Sequence, residues 1–328
     1  MSRSRKWGRC DNPAEPVSQV ACQSIQSRLK EVWKHAPMAA GNHPGVRDVH
    51  QLRVSVRRAE AALKLYADLL PTKRTRLIRK QLRTLRRAAG QARDLDVVSL
   101  QLAELDSEQP RKALAKLRKQ VAAKRIKAQR PLKRSYLDAK KDGFVKRSAQ
   151  LIKRIRWRGT GDEPSFQDFA HRSLDSVVNR FFAAGQADLA EIDALHEMRI
   201  QGKGVRYGME LLAPAFAKRF RKELYPVFAK AQERLGKVND HASAIEFYRS
   251  QFADDDNRNV GKLIQELLQK EHAELEAKHR AVLDWWTPER ADELRAQFTT
   301  VLTVSVAESD VVNESLATDS DEISTPLL

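Results

Sequence analysis

His50-Gln-Leu-Arg53-Val-Ser-Val-Arg57 returns 146 residues later as His196-Glu-Met-Arg199-Ile-Gln-Gly-Lys203. Gly90-Gln-Ala-Arg93-Asp94 likewise returns as Gly236-Lys-Val-Asn239-Asp240. In both copies the glycine follows the histidine by 40 residues and the aspartate follows it by 44, so no insertion separates the copies between these marks. Spacing held this closely points to a duplication inside one fold. The residues that repeat are mostly polar, while apolar ones drift (Leu63 against Met209, Leu82 against Phe228). A repeat kept for packing alone shows the reverse, so the repeated face is read as a site.

The stretch around the first histidine is helical. Leu52, Val56, Ala59, Leu63, Tyr66 and Leu70 step by four, three, four, three and four, which makes one apolar stripe, and Pro71 ends it. His50, Arg53, Arg57 and Lys64 form a second, cationic stripe roughly 130° round the same helix at 100° per residue. The second copy keeps the phase, with Met198, Val205, Met209 and Leu212 apolar and His196, Arg199, Lys203 and Arg206 basic. Two such helices together cover an anion longer than one helix reaches. Between Thr72 and Ala89 the cations Lys73, Arg76, Arg79, Lys80, Arg83 and Arg87 stand opposite Leu77, Ile78, Leu82 and Leu85, which predicts another amphipathic helix with a basic face. A glycine inside a helix costs about 1 kcal/mol, so Gly90 and Gly236 are expected where another helix comes close. Asp94 and Asp240 are read as structural, orienting an arginine or capping a turn.

Long segments rich in Ala, Leu, Lys, Arg, Gln and Glu, with only 13 Gly and 12 Pro in 328 residues, predict an all-α protein. Lys and Arg number 60 against 43 Asp and Glu, a formal charge of +17, so a polyanionic partner is expected. Residues 111–158 hold 19 basic side chains and two acidic ones, Asp138 and Asp142. Residues 301–328 hold six acidic residues and no Lys or Arg. Residues 1–16 and 301–328 are expected to be disordered, and the acidic tail is expected to fold back and compete with ligand. If deleting the residues after Val306 leaves affinity unchanged, that competition is absent.

Cys10 and Cys22 form neither a disulfide framework nor a metal-ligand spacing, and no apolar run is long enough for a membrane span. The expectation is a cytoplasmic protein with no cofactor and no metal. Aromatic residues make up 6% of the chain and do not interleave with the basic runs, which disfavours a stacking platform for single-stranded nucleic acid. Nucleic acid remains the alternative partner, since its backbone answers to the same charge. No phosphate-binding loop and no nucleophile triad is present, so no catalysis is expected. Glu274-Leu-Glu276-Ala-Lys278 matches the Glu-x-Glu-x-Lys string of triphosphate tunnel metalloenzymes, the basis of a second alternative, a metal-dependent (tri)polyphosphate hydrolase. Those enzymes need the string on a strand, and here it falls in a helix-like stretch. Trp285 and Trp286 are read as a core anchor for the last helix.

The motif His50-x-x-Arg53-x-x-x-Arg57-Arg58 with Arg93-Asp94-Leu95-Asp96, followed by His196-x-x-Arg199-x-x-x-Lys203-x-x-Arg206-Tyr207 with Leu235-Gly236-x-x-Asn239-Asp240, resembles the CHAD family, the conserved histidine α-helical domain. The resemblance runs from about Val17 to Phe298. It implies two antiparallel helical bundles related by a pseudo-twofold, here about 17–158 and 164–300 of a domain spanning 17–300, with a basic cavity between them. It also implies binding of inorganic polyphosphate, often at polyphosphate granules. Carried onto this chain, it makes His50, Arg53, Arg57, Lys64, His196, Arg199, Lys203 and Arg206 the cavity-lining set, with Lys80, Arg83 and Arg93 as further contacts. The basic cluster with Arg118 and Arg125 looks like the family's central helical hairpin and is expected to join the same surface. Glu60 and Gly204 depart from the family pattern, which often has basic residues there.

Overall fold

In a computed structural model, residues 6–105, 111–252 and 257–303 are described. Among them the chain forms ten α-helices and no strand. In chain order these are α1 (Val17–Ala39), α2 (Val46–Leu65), α3 (Thr72–Glu104), α4 (Arg111–Lys141), α5 (Phe144–Ile152), α6 (Phe166–Ala184), α7 (Ile192–Leu212), α8 (Tyr225–Phe252), α9 (Arg258–Trp285) and α10 (Pro288–Thr303). Moved along the chain by the motif repeat, α2 begins where α7 begins, and α1, α4 and α5 start within three residues of α6, α9 and α10. The remaining pair, α3 and α8, fits less well, because a π turn over Phe220–Leu224 precedes α8. Five helices are therefore repeated once.

Local chemistry sets several of the boundaries. The Asp48 carboxylate accepts the Gly45 backbone N–H at 2.9 Å ahead of α2. Ser165 Oγ accepts the Asp168 N–H at 3.1 Å to cap α6. Pro71 precedes α3, and Gly143, at φ +71°, supplies the left-handed residue between α4 and α5. Two prolines do not end helices: Pro37 lies within α1 and Pro131 within α4.

The compact units are not the two sequence halves. One unit comprises Ala21–Gly161 with Arg234–Val282, so the later part of the second repeat belongs with the first. The physical reason is a shared apolar core. Leu95, Val98 and Leu102 of α3 and Leu114, Leu117 and Val121 of α4 pack with Tyr248 and Phe252 of α8 and with Val260, Leu263 and Ile264 of α9. In the same unit α2 packs on α3, α3 on α4, and α5 against both, while Trp33 stacks on Phe144 at 5.3 Å.

The other unit comprises residues 6–20, Asp162–Glu233 and 283–303. Its core is aromatic: Phe181 meets Phe182, Phe228 and Trp286 edge-on, and Phe298 packs on Phe182 and Phe228. Trp286 Nε1 donates to Gly185 O at 3.0 Å, which ties the start of α10 to the end of α6 as the paired tryptophans suggest.

Residues 6–16 do not follow the expected disorder. The Gly8 N–H donates to Glu210 O at 2.7 Å, and Trp7 packs edge-on against Tyr225 at 4.8 Å. The Phe166 N–H donates to Glu15 O at 2.8 Å. A Cβ at Gly8 would run into the Leu211 backbone carbonyl. Gly8→Ala is therefore expected to detach this strap from α7, seen as faster proteolytic cleavage before residue 17 with overall helicity unchanged; equal cleavage rates would contradict that. Residues 1–5, and the expected acidic tail from residue 304 on, lie outside the described residues.

Candidate functional site

The cationic stripe of α2 faces α3. Its apolar partners Leu52, Val56, Ala59 and Leu63 are fully buried, which fixes the rotation of the helix and leaves His50, Arg53, Arg57 and Lys64 on its accessible flank. Arg53 Nη1 donates to Asp94 Oδ1 at 3.0 Å and, more weakly, to Gly90 O at 3.4 Å. Asp94 thus orients an arginine, as its sequence context suggests. Arg53, Arg57 and Arg93 all stand close enough to His50 to repel its protonated form. The His50 pKa is lowered, first by partial shielding of the ring from bulk water although the residue is surface-accessible, then by Arg93, Arg53 and Arg57.

The unfolded chain takes up the His50 proton first. This contribution to stability is therefore present above the ordinary imidazole value near 6.5 and is lost as pH falls from there through the lowered folded value.

Lys64 of α2 and Lys80 and Arg83 of α3 are exposed. Glu60, which stands where the family pattern has a cation, pairs with Arg86 Nε at 2.8 Å and so cancels one positive charge beside the motif. The expectation for the glycines fails. A Cβ at Gly90 would make only ordinary contact, 3.6 Å from Arg53 Nη1, and one at Gly236 would meet nothing within 4 Å. Neither position needs a glycine for clearance; Gly90 stands opposite Arg53 of α2 and offers it its carbonyl. In the expected basic face of α3, Leu77 is exposed too, and the buried apolar residues are Ile78, Leu82 and Leu85.

Arg118 and Arg125, which the resemblance implies join the binding surface, both hydrogen-bond to α3. Arg118 donates through Nε and Nη2 to Leu102 O at 3.0 and 2.6 Å, satisfying a carbonyl in the last turn of α3. Arg125 Nε donates to Asp96 Oδ1 at 2.6 Å and Nη1 to Gln129 Oε1 at 3.1 Å, while Gln129 Nε2 donates to Ala39 O and Gly41 O. The Arg125 and Asp96 side chains are 16% and 6% exposed. These two guanidiniums hold α3, α4 and the end of α1 together.

In the other unit, Met198, Val205, Met209 and Leu212 bury one side of α7, leaving His196 exposed and Arg199, Lys203 and Arg206 half-buried. Arg206 turns to structure. Its Nη1 donates to Glu210 Oε1 at 2.9 Å, the Tyr225 hydroxyl donates to the same oxygen at 2.9 Å, and Glu210 is 1% exposed. Burial and the Glu210 carboxylate push the Tyr225 phenol up to about 12, so it stays a donor. Sequence reasoning missed Glu210; an acid four residues after the last cation of the motif was the available signal. Gly204, the other departure from the pattern, is exposed with nothing near it. Glu274, Glu276 and Lys278 lie in α9, and Glu274 pairs with Lys278 one turn away at 3.1 Å. Among the described residues no group of three or more His, Cys, Asp or Glu is placed to hold a metal ion, and no helix is long and apolar enough to cross a membrane.

Helices in two copies, each presenting a histidine and a row of cations beside an apolar stripe, define an all-helical, internally repeated domain with two basic faces. The CHAD domain family profile matches residues 23–249, and the chain belongs to that family. Its fold is similar to that of the CHAD domain from the plant Ricinus communis, with a TM-score of 0.66 and 18% identity, covering 90% of this chain and 96% of that one. It is also similar to that of PptA from Streptomyces chartreusis, with a TM-score of 0.61 and 16% identity, covering 83% and 99%. No match is found among curated protein sequences.

Proposed function

We propose that this protein binds inorganic polyphosphate, without catalysis, through the basic faces of α2 and α7, and that it does so in the cytoplasm at polyphosphate granules. The observation that carries the reading is the gathering of His50, Arg53, Arg57 and Arg93 on α2 and α3. Polyphosphate has one repeating charge and no base, sugar or apolar handle. Its recognition must come from guanidinium and ammonium donors spaced along a surface. Arg53 is oriented through a single nitrogen, which leaves the remainder of its fork directed by Asp94 rather than consumed by it. On α7, His196, Arg199 and Lys203 repeat the pattern, while Arg206 is committed to Glu210.

A bound polyanion opposes the repulsion that now lowers the His50 pKa, so binding takes up a proton. Affinity is expected to rise as pH falls toward the lowered His50 value and to level off below it, once His50 is protonated in the unbound protein as well. His50→Gln should flatten that rise; an unchanged pH profile would place the linkage elsewhere.

The test of the function is titration of the full chain with long-chain polyphosphate and, in parallel, with single- and double-stranded RNA and DNA at about 150 mM salt. Saturable polyphosphate binding at least about tenfold tighter than any nucleic acid supports the reading. Equal or better nucleic-acid binding overturns it. Release of orthophosphate from polyphosphate or triphosphate in the presence of a divalent metal would overturn the absence of catalysis.

A further inference from the structure

The duplicated helices α4 and α9 differ sharply in charge. α4 carries 13 basic residues and one acidic residue, whereas α9, the same helix of the second copy, carries five of each. The fold therefore does not require a cationic helix at this place. On α9 the signs interleave and pair, as in Glu274 with Lys278 and Glu271 with His241. On α4, Lys116, Lys119, Lys127, Arg130, Arg134 and Lys141 are all exposed, and among the described residues their one ion pair is Arg134 with Asp138 at 4.0 Å. Like charges three and four residues apart on a helix repel, so this face is strained by its own charge unless an anion lies along it.

Its direction follows from the packing of α4. Ala113, Leu117, Val121, Leu132 and Ala139 form the buried stripe, and the six cations lie roughly 130° round from it at 100° per residue. One flank is tied down by Arg118 and Arg125 to α3 and by Gln129 to the end of α1. On the other flank Lys124 lies over the Phe252 ring at 5.1 Å. The six cations occupy the open side, a row about 38 Å long at 1.5 Å per residue. On α3, Asp94 reaches α2 and Asp96 reaches α4, two residues and roughly 200° apart, so the His50 cluster and α4 lie on different sides of α3. The row is turned away from α3 and hence from that cluster.

We infer that the outer face of α4 is a second polyphosphate-binding surface, separate from the motif faces, and that the protein bridges two polyphosphate segments. This rests on the reading that the motif faces bind polyphosphate. Polyphosphate is favoured over nucleic acid because the row carries no aromatic ring on which a base would stack. Tyr136, the aromatic residue of α4, packs instead on Trp33 at 5.4 Å. Two binding surfaces directed apart make the protein a cross-linker.

The experiment is a sandwich capture with the full chain. Polyphosphate is immobilised, saturated with protein, washed, and offered fluorescent long-chain polyphosphate or, separately, fluorescent duplex DNA. The variant replaces Lys116, Lys119, Lys127, Arg130 and Arg134 with Gln, which keeps helix propensity at exposed positions, and circular dichroism checks its fold. A second variant, with Lys116, Lys119 and Lys127 alone replaced, serves if the first is poorly folded. The expected result is capture of fluorescent polyphosphate by the wild type, reduced at least about tenfold in the variant, with loading on the immobilised chain within about twofold. Undiminished capture by a folded variant, no capture by loaded wild type, or preferential capture of DNA each overturns the second surface while leaving the first reading intact. Failure of the wild type to load at all overturns the reading on which the inference rests.

Discussion

Replacing Arg53, Arg57, Arg199 and Lys203 with alanine in the five-glutamine α4 variant, which lacks the second surface, is expected to weaken polyphosphate binding by roughly a thousandfold or more while helicity stays at the wild-type level. Charge-assisted contacts to phosphate contribute about 1.5–3 kcal/mol each, so losing four of them exceeds that factor even when neighbouring cations compensate in part. Folding should survive because all four lie off the apolar stripes that α2 and α7 bury. Arg53→Ala releases Asp94, but that carboxylate is about half exposed and returns to water at little cost. The measurements are binding by titration and helicity by far-ultraviolet circular dichroism. Loss of helix signal would instead show that the motif cations serve packing.

Arg125→Ala is expected to do the opposite, destabilising the fold by about 3–5 kcal/mol, because it strands the buried Asp96 carboxylate and frees Gln129 from its anchor. The readout is the urea midpoint followed by near-ultraviolet tertiary signal. Protein that remains folded should bind short polyphosphate within about twofold of wild type. Replacing Arg125 and Asp96 together with Met and Leu should recover much of the loss, since no buried charge is then left alone. Weaker binding with unchanged stability would return Arg125 to the ligand site.

These two arginines mark where the sequence stops being legible. The helices on α2 and α7 were readable because a single stripe at steps of three and four fixes both the secondary structure and the face that is buried. The duplication followed from an uninterrupted spacing, and the structure shows five helices in each copy. Which cations of α4 point to ligand was not readable. A helix of 13 cations offers donors on every side, and only the tertiary partners Leu102 and Asp96 decide that Arg118 and Arg125 bond to α3. The acceptor that takes Arg118 is a backbone carbonyl, which leaves no mark in the sequence at all.

The division into units was hidden for a related reason. The repeat places residues 234–282 with the second copy, but Tyr248, Phe252, Val260 and Leu263 satisfy the same apolar core as Leu95 and Leu117. Periodicity shows that a face is buried and not what it is buried against. The strap over residues 6–16 was not readable because its polar composition suggests disorder, whereas Trp7, Gly8 and Glu15 supply contacts that hold it. Gly90 and Gly236 were misread because a helical glycine has more than one use. Here Gly90 presents a carbonyl to Arg53, and Gly236 opens onto empty space.

The most direct measurement is side-chain protection. The full chain, in excess, is mixed with a short polyphosphate of defined length, its arginines and lysines are modified chemically, and each position is read by mass spectrometry against protein without ligand. The account predicts that Arg53, Arg57, Arg93, Arg199 and Lys203 are protected, together with the α4 row if the second surface is occupied, while exposed cations off these faces react at their unliganded rates. Protection spread evenly over all exposed cations, or absent from both α2 and α7, would contradict it.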